Sequence, residues 1–145
     1  MPKLLVINGP NLNLLGTREP DIYGSDSLVD LKNRIDKLAE ELKVDLLWFQ
    51  SNHEGELIDF LHRESTAADG LIINPGALGH YSIALRDAIT ATGLDAIEVH
   101  VTNIYTREEF RQHSVIAPIC RGQISGFGFY GYAMALSFFV DSAGE

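Results

Sequence analysis

Four short runs, residues 3–8, 44–50, 70–74 and 96–101, are rich in aliphatic side chains and constrain the fold more than any other feature of the chain. A strand with one wet face alternates apolar and polar residues. An unbroken run such as Leu4-Leu5-Val6-Ile7 or Leu71-Ile72-Ile73 belongs instead to a strand covered on both faces. The stretches between the runs carry helical periodicity. Over 27–42, Leu28, Leu31, Ile35, Leu38 and Leu42 step by three or four residues into one stripe, with Ser25 or Ser27 placed to cap its start. Over 54–68, Leu57, Phe60, Leu61 and Glu64 repeat that spacing behind Asn52, a candidate cap. A third helix is predicted over 81–92, ended by Gly93. Thr106-Arg107-Glu108-Glu109 has the form of a capping box opening a short fourth helix, and 131–139 reads as the last.

Strand and helix therefore alternate about five times, counting a weaker fifth strand near 123–126. Parallel strands joined by crossover helices follow from that order. The expected fold class is α/β, a flavodoxin-like three-layer sandwich around a five-stranded parallel sheet. A length of 145 residues suits one domain spanning 1–145. No apolar run approaches the roughly 18 residues that span a bilayer, and Leu4–Ile7 is too short for a signal-peptide core. The expectation is a cytoplasmic chain with no membrane partner. A net charge of −9 argues against nucleic acid as a partner. An anionic small molecule would need local positive charge, for which Arg18, Arg107 and Arg111 are the candidates. Cys120 is the one cysteine, which excludes an internal disulfide and a cysteine-based zinc site and leaves a small core residue as the simple reading. The five histidines, His53, His62, His80, His100 and His113, show no metal-ligand spacing, so no metal is expected.

In such folds ligands sit beyond the carboxyl ends of the strands. The residues just after each aliphatic run should carry the chemistry. After the first run, residues 8–24 form a loop far longer than the roughly 2–6 residues usual between strand and helix. It holds Asn11, Arg18 and Tyr23, and its glycines allow unusual backbone angles, with Gly16 a candidate hinge. The third run ends in Asn74-Pro75-Gly76, a sharp turn in which Asn74 either satisfies the backbone or faces a ligand. His80 follows, as a packing residue or a ligand contact. In the fourth run Glu98 and His100 lie two apart and so share a face, the carboxylate orienting the imidazole. A charge inside an aliphatic strand is costly unless paired, so the pair is either a structural ion pair or catalytic. Val101-Thr102 can offer amides and a hydroxyl to an anion. Arg107 and Arg111, four apart, would share one face of the short helix, as an anion site or a solvated basic face.

In sequence order these motifs resemble one family. Asn8-Gly9-Pro10-Asn11-Leu12-Asn13-Leu14-Leu15-Gly16, then Arg18-Glu19-Pro20 and Tyr23-Gly24, resemble the opening of the type II 3-dehydroquinate dehydratases. Gln50-Ser51-Asn52-His53-Glu54-Gly55-Glu56 resembles their second motif, and Asn74-Pro75-Gly76-Ala77, His80-Tyr81-Ser82 and Glu98-Val99-His100 the later ones, a likeness running to about Gly131. The resemblance implies a hydro-lyase without cofactor or metal, which takes water from 3-dehydroquinate by anti elimination through an enolate. That reaction serves the shikimate route to chorismate and the aromatic amino acids, or quinate breakdown. By the same resemblance Tyr23 is the base at C2, Arg18 keeps it as phenolate, and Asn11 holds a water against the enolate oxygen. His100 protonates the departing C1 hydroxyl and Glu98 orients it. Asn74, His80 and Arg111 bind substrate hydroxyls, Val101 and Thr102 receive the carboxylate, and Asp87 reaches a neighbouring subunit's site. The family assembles as a homododecamer built from trimers. Thr102 stands where serine is usual and keeps the hydroxyl; Tyr105-Thr106 stands where many members have His-Ala.

These residue types suit the reaction. Removing a proton beside a ketone needs a base and a place for enolate charge. Free tyrosine has a pKa of about 10, and a neighbouring guanidinium typically lowers such a value by about 1–3. Both groups lie on the long loop, whose closure would assemble the base and exclude water. An imine mechanism would need a lysine at a strand end, and Lys3, Lys32, Lys37 and Lys43 all lie elsewhere. A flavin module would want a first loop rich in Ser, Thr and Gly. A receiver module would want acids where Asn8 and Asn74 stand.

Overall fold

The computed structural model describes residues 1–17 and 19–142, with the backbone alone at Tyr23. Five strands, β1 (Lys3–Asn8), β2 (Asp45–Gln50), β3 (Gly70–Asn74), β4 (Ala96–His100) and β5 (Gly122–Ser125), form one sheet in the order β2-β1-β3-β4-β5. Every pair is parallel. The helices are α1 (Pro20–Tyr23), α2 (Leu28–Leu42), α3 (Glu54–Glu64), α4 (Ile83–Thr92) and α5 (Tyr130–Ser142).

Side-chain alternation along the strands builds the three layers. Leu4 and Val6 of β1 pack with Leu31 and Ile35 of α2 and with Tyr132, Leu136 and Phe139 of α5. Leu5 and Ile7, pointing the other way, pack with Leu57 and Leu61 of α3 and with Leu85 and Ile89 of α4. Both faces of β1 are covered, which is why its run is unbroken; each such buried side chain stabilises by about 1.5–3 kcal/mol. The expected α/β sandwich and its five parallel strands are therefore present. Strand order reverses between β1 and β3, and their register puts Asn8 beside Asn74 at the carboxyl edge. Ligands gather at such a switch point.

Ser27 caps α2 in a reciprocal box: its hydroxyl accepts from Asp30 N at 3.1 Å, and the Asp30 carboxylate accepts from Ser27 N at 2.9 Å. Gly93 ends α4 at φ 71°, in the left-handed region glycine tolerates. Helix α4 starts later than predicted, because Gly76–His80 forms a 3-10 turn and Ser82 caps instead, accepting from Leu85 N at 3.0 Å. Asn52 does not cap α3. Its side-chain oxygen accepts from Asn11 N at 2.9 Å and from Gln50 Nε2 at 3.2 Å, so it holds the long loop. The capping box and short helix expected at 106–109 do not form. The Thr106 hydroxyl donates back to Asn103 O at 2.9 Å, and the segment makes two 3-10 turns, Ile104–Thr106 and Glu109–Arg111. Helix α5 outruns its predicted bounds at both ends.

Candidate active site

The carboxyl ends of β1, β3 and β4 open into a cleft of about 120 Å³. Pro10, Asn11 and Leu12 line it after β1; Asn74, Gly76, Ala77 and His80 after β3; His100, Val101, Thr102, Ile104, Arg107 and Arg111 after β4. Sequence-predicted candidates Asn11, Asn74, His80, His100, Val101, Thr102 and Arg111 thus meet in one place. Glu98 lies behind His100. Asp87 is exposed on α4 and does not line this cleft. Arg18 and the Tyr23 side chain lie outside the described residues.

Strand β4 supplies the cleft's buried ion pair. Glu98 is 0% exposed, and its carboxylate accepts from His100 Nε2. A buried carboxylate needs more than one partner. Ser114 provides it: the hydroxyl lies 2.8 Å from one Glu98 oxygen and 2.9 Å from the other. Ser114 is itself oriented by accepting from Ala117 N at 3.0 Å. The sequence reading missed Ser114, which sits in an aperiodic polar segment. Only the cost of burying Glu98 signalled that such a partner must exist.

The neighbouring residue fixes the second imidazole. The His80 Nδ1–H donates to His113 O at 2.9 Å, and the ring stacks on His100 with centroids 5.9 Å apart. Burial, aided by the charges of His100 and Arg111, pushes the His80 pKa below its ordinary value. Neutral and protonated on Nδ1, the ring keeps Nε2 as an acceptor for a hydroxyl. Asn74 satisfies the backbone, as the turn predicted: its side-chain oxygen accepts from Gly76 N at 3.2 Å, and the residue also lines the cleft.

The long loop is pinned at its root. Asn11 sits at φ 69°, a left-handed conformation that asparagine tolerates, and it is held there by Asn52. Gln50 Nε2 donates to Gly9 O at 3.2 Å. A Cβ at Gly9 would stand 2.3 Å from Pro75 O, so the loops after β1 and β3 touch where only glycine fits.

On the opposite wall, Ser125 takes a hydrogen bond from Ile104 N at 3.1 Å and donates to Thr102 O at 3.1 Å, which shapes the turn after β4. Arg107 and Arg111 share the cleft without sharing a helix face. The Arg111 guanidinium donates to Glu108 and lies 5.1 Å over the Phe110 ring. That hydrogen bond holds Glu108 below the usual carboxylate range. Cys120 is half-buried, and burial together with Glu98 pushes its thiol up to about 12, which disfavours the thiolate. Among the described residues no group of three or more His, Cys, Asp or Glu side chains is placed to hold a metal ion. No helix among them is long and apolar enough to cross a membrane.

Known proteins resemble this chain along nearly its whole length. The model of the family described as dehydroquinase class II matches residues 2–140. The 3-dehydroquinate dehydratase of Bacillus licheniformis is 56% identical over 142 residues, covering 98% of each chain. That of Caldicellulosiruptor saccharolyticus is 61% identical over 137 residues, covering 94% of each. Among solved structures, the type II dehydroquinase from Butyrivibrio crossotus superposes with a TM-score of 0.94 at 46% identity, over 97% of this chain and 98% of that one. A 3-dehydroquinate dehydratase-like protein from Bifidobacterium longum covers 100% of both chains but superposes less closely, with a TM-score of 0.73 at 31% identity. Similarity of this extent, in sequence and in fold, places the chain in the class II dehydroquinase family.

Proposed function

We propose that this chain is a 3-dehydroquinate dehydratase, a hydro-lyase that forms 3-dehydroshikimate and water by anti elimination. One observation carries the reading: the buried Glu98–His100 pair stands at a cleft that also gathers Asn74, His80 and Arg111. An acid, hydrogen-bond partners for hydroxyls and local positive charge are thereby combined.

In this reading Tyr23 takes the proton from C2. The electron pair moves onto the C3 carbonyl and gives an enolate, whose oxygen is met by a water that Asn11 holds. Collapse of the enolate forms the C1–C2 double bond and expels the C1 hydroxyl, which leaves as water with a proton from His100. Arg18 stabilises the Tyr23 phenolate, and Glu98 orients His100. Asn74, His80 and Arg111 bind hydroxyls; Val101 and Thr102 bind the carboxylate. No metal, cofactor or lysine imine takes part, and none of the four lysines lines the cleft.

Residues 1–145 act as one catalytic domain, in the cytoplasm, within the shikimate route, and free of nucleic-acid or membrane partners. Asp87 completes a neighbouring subunit's site in a dodecamer built from trimers. In support, Asp87 is exposed one helical turn from Ile83, itself 54% exposed, so α4 presents an acid and an apolar group on one outer face.

The test is ultraviolet detection of the conjugated enone-carboxylate when purified protein and chelator meet 3-dehydroquinate. The expected result is steady product formation. A folded protein that forms none would refute the proposal.

A further inference from the structure

Beneath the cleft, one hydroxyl ties two strand ends together. Tyr132 of α5 is fully buried, its ring stacked on Trp48 with centroids 6.5 Å apart. Its OH lies 3.0 Å from Asn74 Nδ2 and 2.6 Å from Asn8 Oδ1. The directions of these bonds follow from chemistry. Asn74 Oδ1 accepts from Gly76 N, a fixed donor, so the Asn74 NH2 must face Tyr132 and the tyrosine oxygen must accept. The single hydroxyl proton then goes to Asn8 Oδ1. Were Asn8 turned over, the hydroxyl would face two NH2 groups and have no acceptor. Asn8 Nδ2, buried, has no hydrogen-bond partner among the described residues, so the Asn8 side chain is anchored through its oxygen. The relay Asn74 to Tyr132 to Asn8 thus spends one N–H of Asn74 inside the protein and fixes the plane of its amide.

We infer that Tyr132 is a positioning residue for substrate binding: it sets the Asn74 amide so that the remaining N–H meets a substrate hydroxyl. The inference rests on the proposed reading of Asn74 as a substrate-binding residue. Tyr132 itself touches no substrate. Its partners lie 58 and 124 positions away in the chain, so the last helix of the fold helps to set a cleft built at the ends of β1, β3 and β4.

The experiment is a double-mutant cycle on kcat and KM for 3-dehydroquinate, using Tyr132→Phe, Asn74→Ala and both together, with melting temperature measured alongside. Tyr132→Phe is expected to raise KM about tenfold, the effect of one misplaced hydrogen bond, with a smaller change in kcat. In the Asn74→Ala background the same substitution should leave KM unchanged, although it still lowers the melting temperature. A purely structural hydroxyl would move stability alone, or would raise KM by the same factor in both backgrounds; either result overturns the inference. If Asn74→Ala alone leaves KM and kcat at wild-type values, the reading of Asn74 fails and takes the inference with it, a distinguishable outcome. Should Tyr132→Phe not fold, Asn8→Ala removes the acceptor that orients the hydroxyl. It should raise KM in the wild-type background but not with Asn74→Ala, and an equal effect in both would overturn the inference.

Discussion

At the scale of single residues the site is governed by how buried polar groups find partners. Glu98 is buried between His100 and Ser114, and a hydrogen bond to a charged group is worth about 1.5–3 kcal/mol. Ser114→Ala should therefore lower stability by about that amount and kcat by about tenfold, while Ser114→Thr, which keeps the hydroxyl, should stay near wild type. Urea denaturation and steady-state kinetics measure both, and an unperturbed Ser114→Ala enzyme would contradict the role. His80 yields a pH prediction. Its folded pKa lies below the ordinary histidine value of 6.5, so the unfolded chain binds the proton more readily. The stabilisation is fully present above about 6.5 and is lost as pH falls towards the folded pKa. Between pH 7.5 and 5.5 the urea midpoint of wild type should fall further than that of His80→Gln; equal falls would be contrary evidence. Glu98 and His100 were legible because period-two spacing needs no distant information. Ser114 and Tyr132 were not, since their partners are brought to them only by the fold.

Secondary structure in this chain is decided by who satisfies the backbone. The aliphatic runs and the α2 stripe were readable because both sheet faces and one helix face had to be buried. The failures cluster around the cleft. Asn52 looked like a cap and instead holds Asn11; Thr106 looked like a cap and instead closes the preceding turn. A local motif offers a hydrogen bond, and tertiary structure chooses its partner. The sharpest case is Gly9, whose missing side chain lets the loop after β1 lie against Pro75. Gly9→Ala must move that backbone, because a Cβ would stand 2.3 Å from Pro75 O. We expect a stability loss of about 1–3 kcal/mol and a fall in kcat/KM of at least tenfold as Asn11 and Asn74 separate. Unchanged kinetics would show that the two loops tolerate the shift.

The molecule as a whole follows the rule that a doubly wound sheet presents its ligand site at the carboxyl edge beside the switch point. Order of elements was enough to find that edge, and the cleft lies there. What order could not supply is the fate of Asp87, which is exposed and does not line its own cleft. If it serves a neighbour, then co-assembling Asp87→Ala with His100→Ala chains should create some sites in which both residues are intact. Mixed assemblies should recover a measurable fraction of wild-type activity although each variant alone is nearly inactive. No recovery, with mixing verified by mass spectrometry, would confine Asp87 to a role within its own chain.

If this cleft performs the dehydration through a separate base and acid, losing either group must show in turnover. The measurement is kcat for 3-dehydroquinate in wild type, Tyr23→Phe and His100→Ala, with folding checked by circular dichroism. A general acid or base contributes about 10²–10⁴-fold, so each folded variant should lose at least a hundredfold in kcat. A folded His100→Ala enzyme with near wild-type turnover would contradict the proposed role of His100 as the acid.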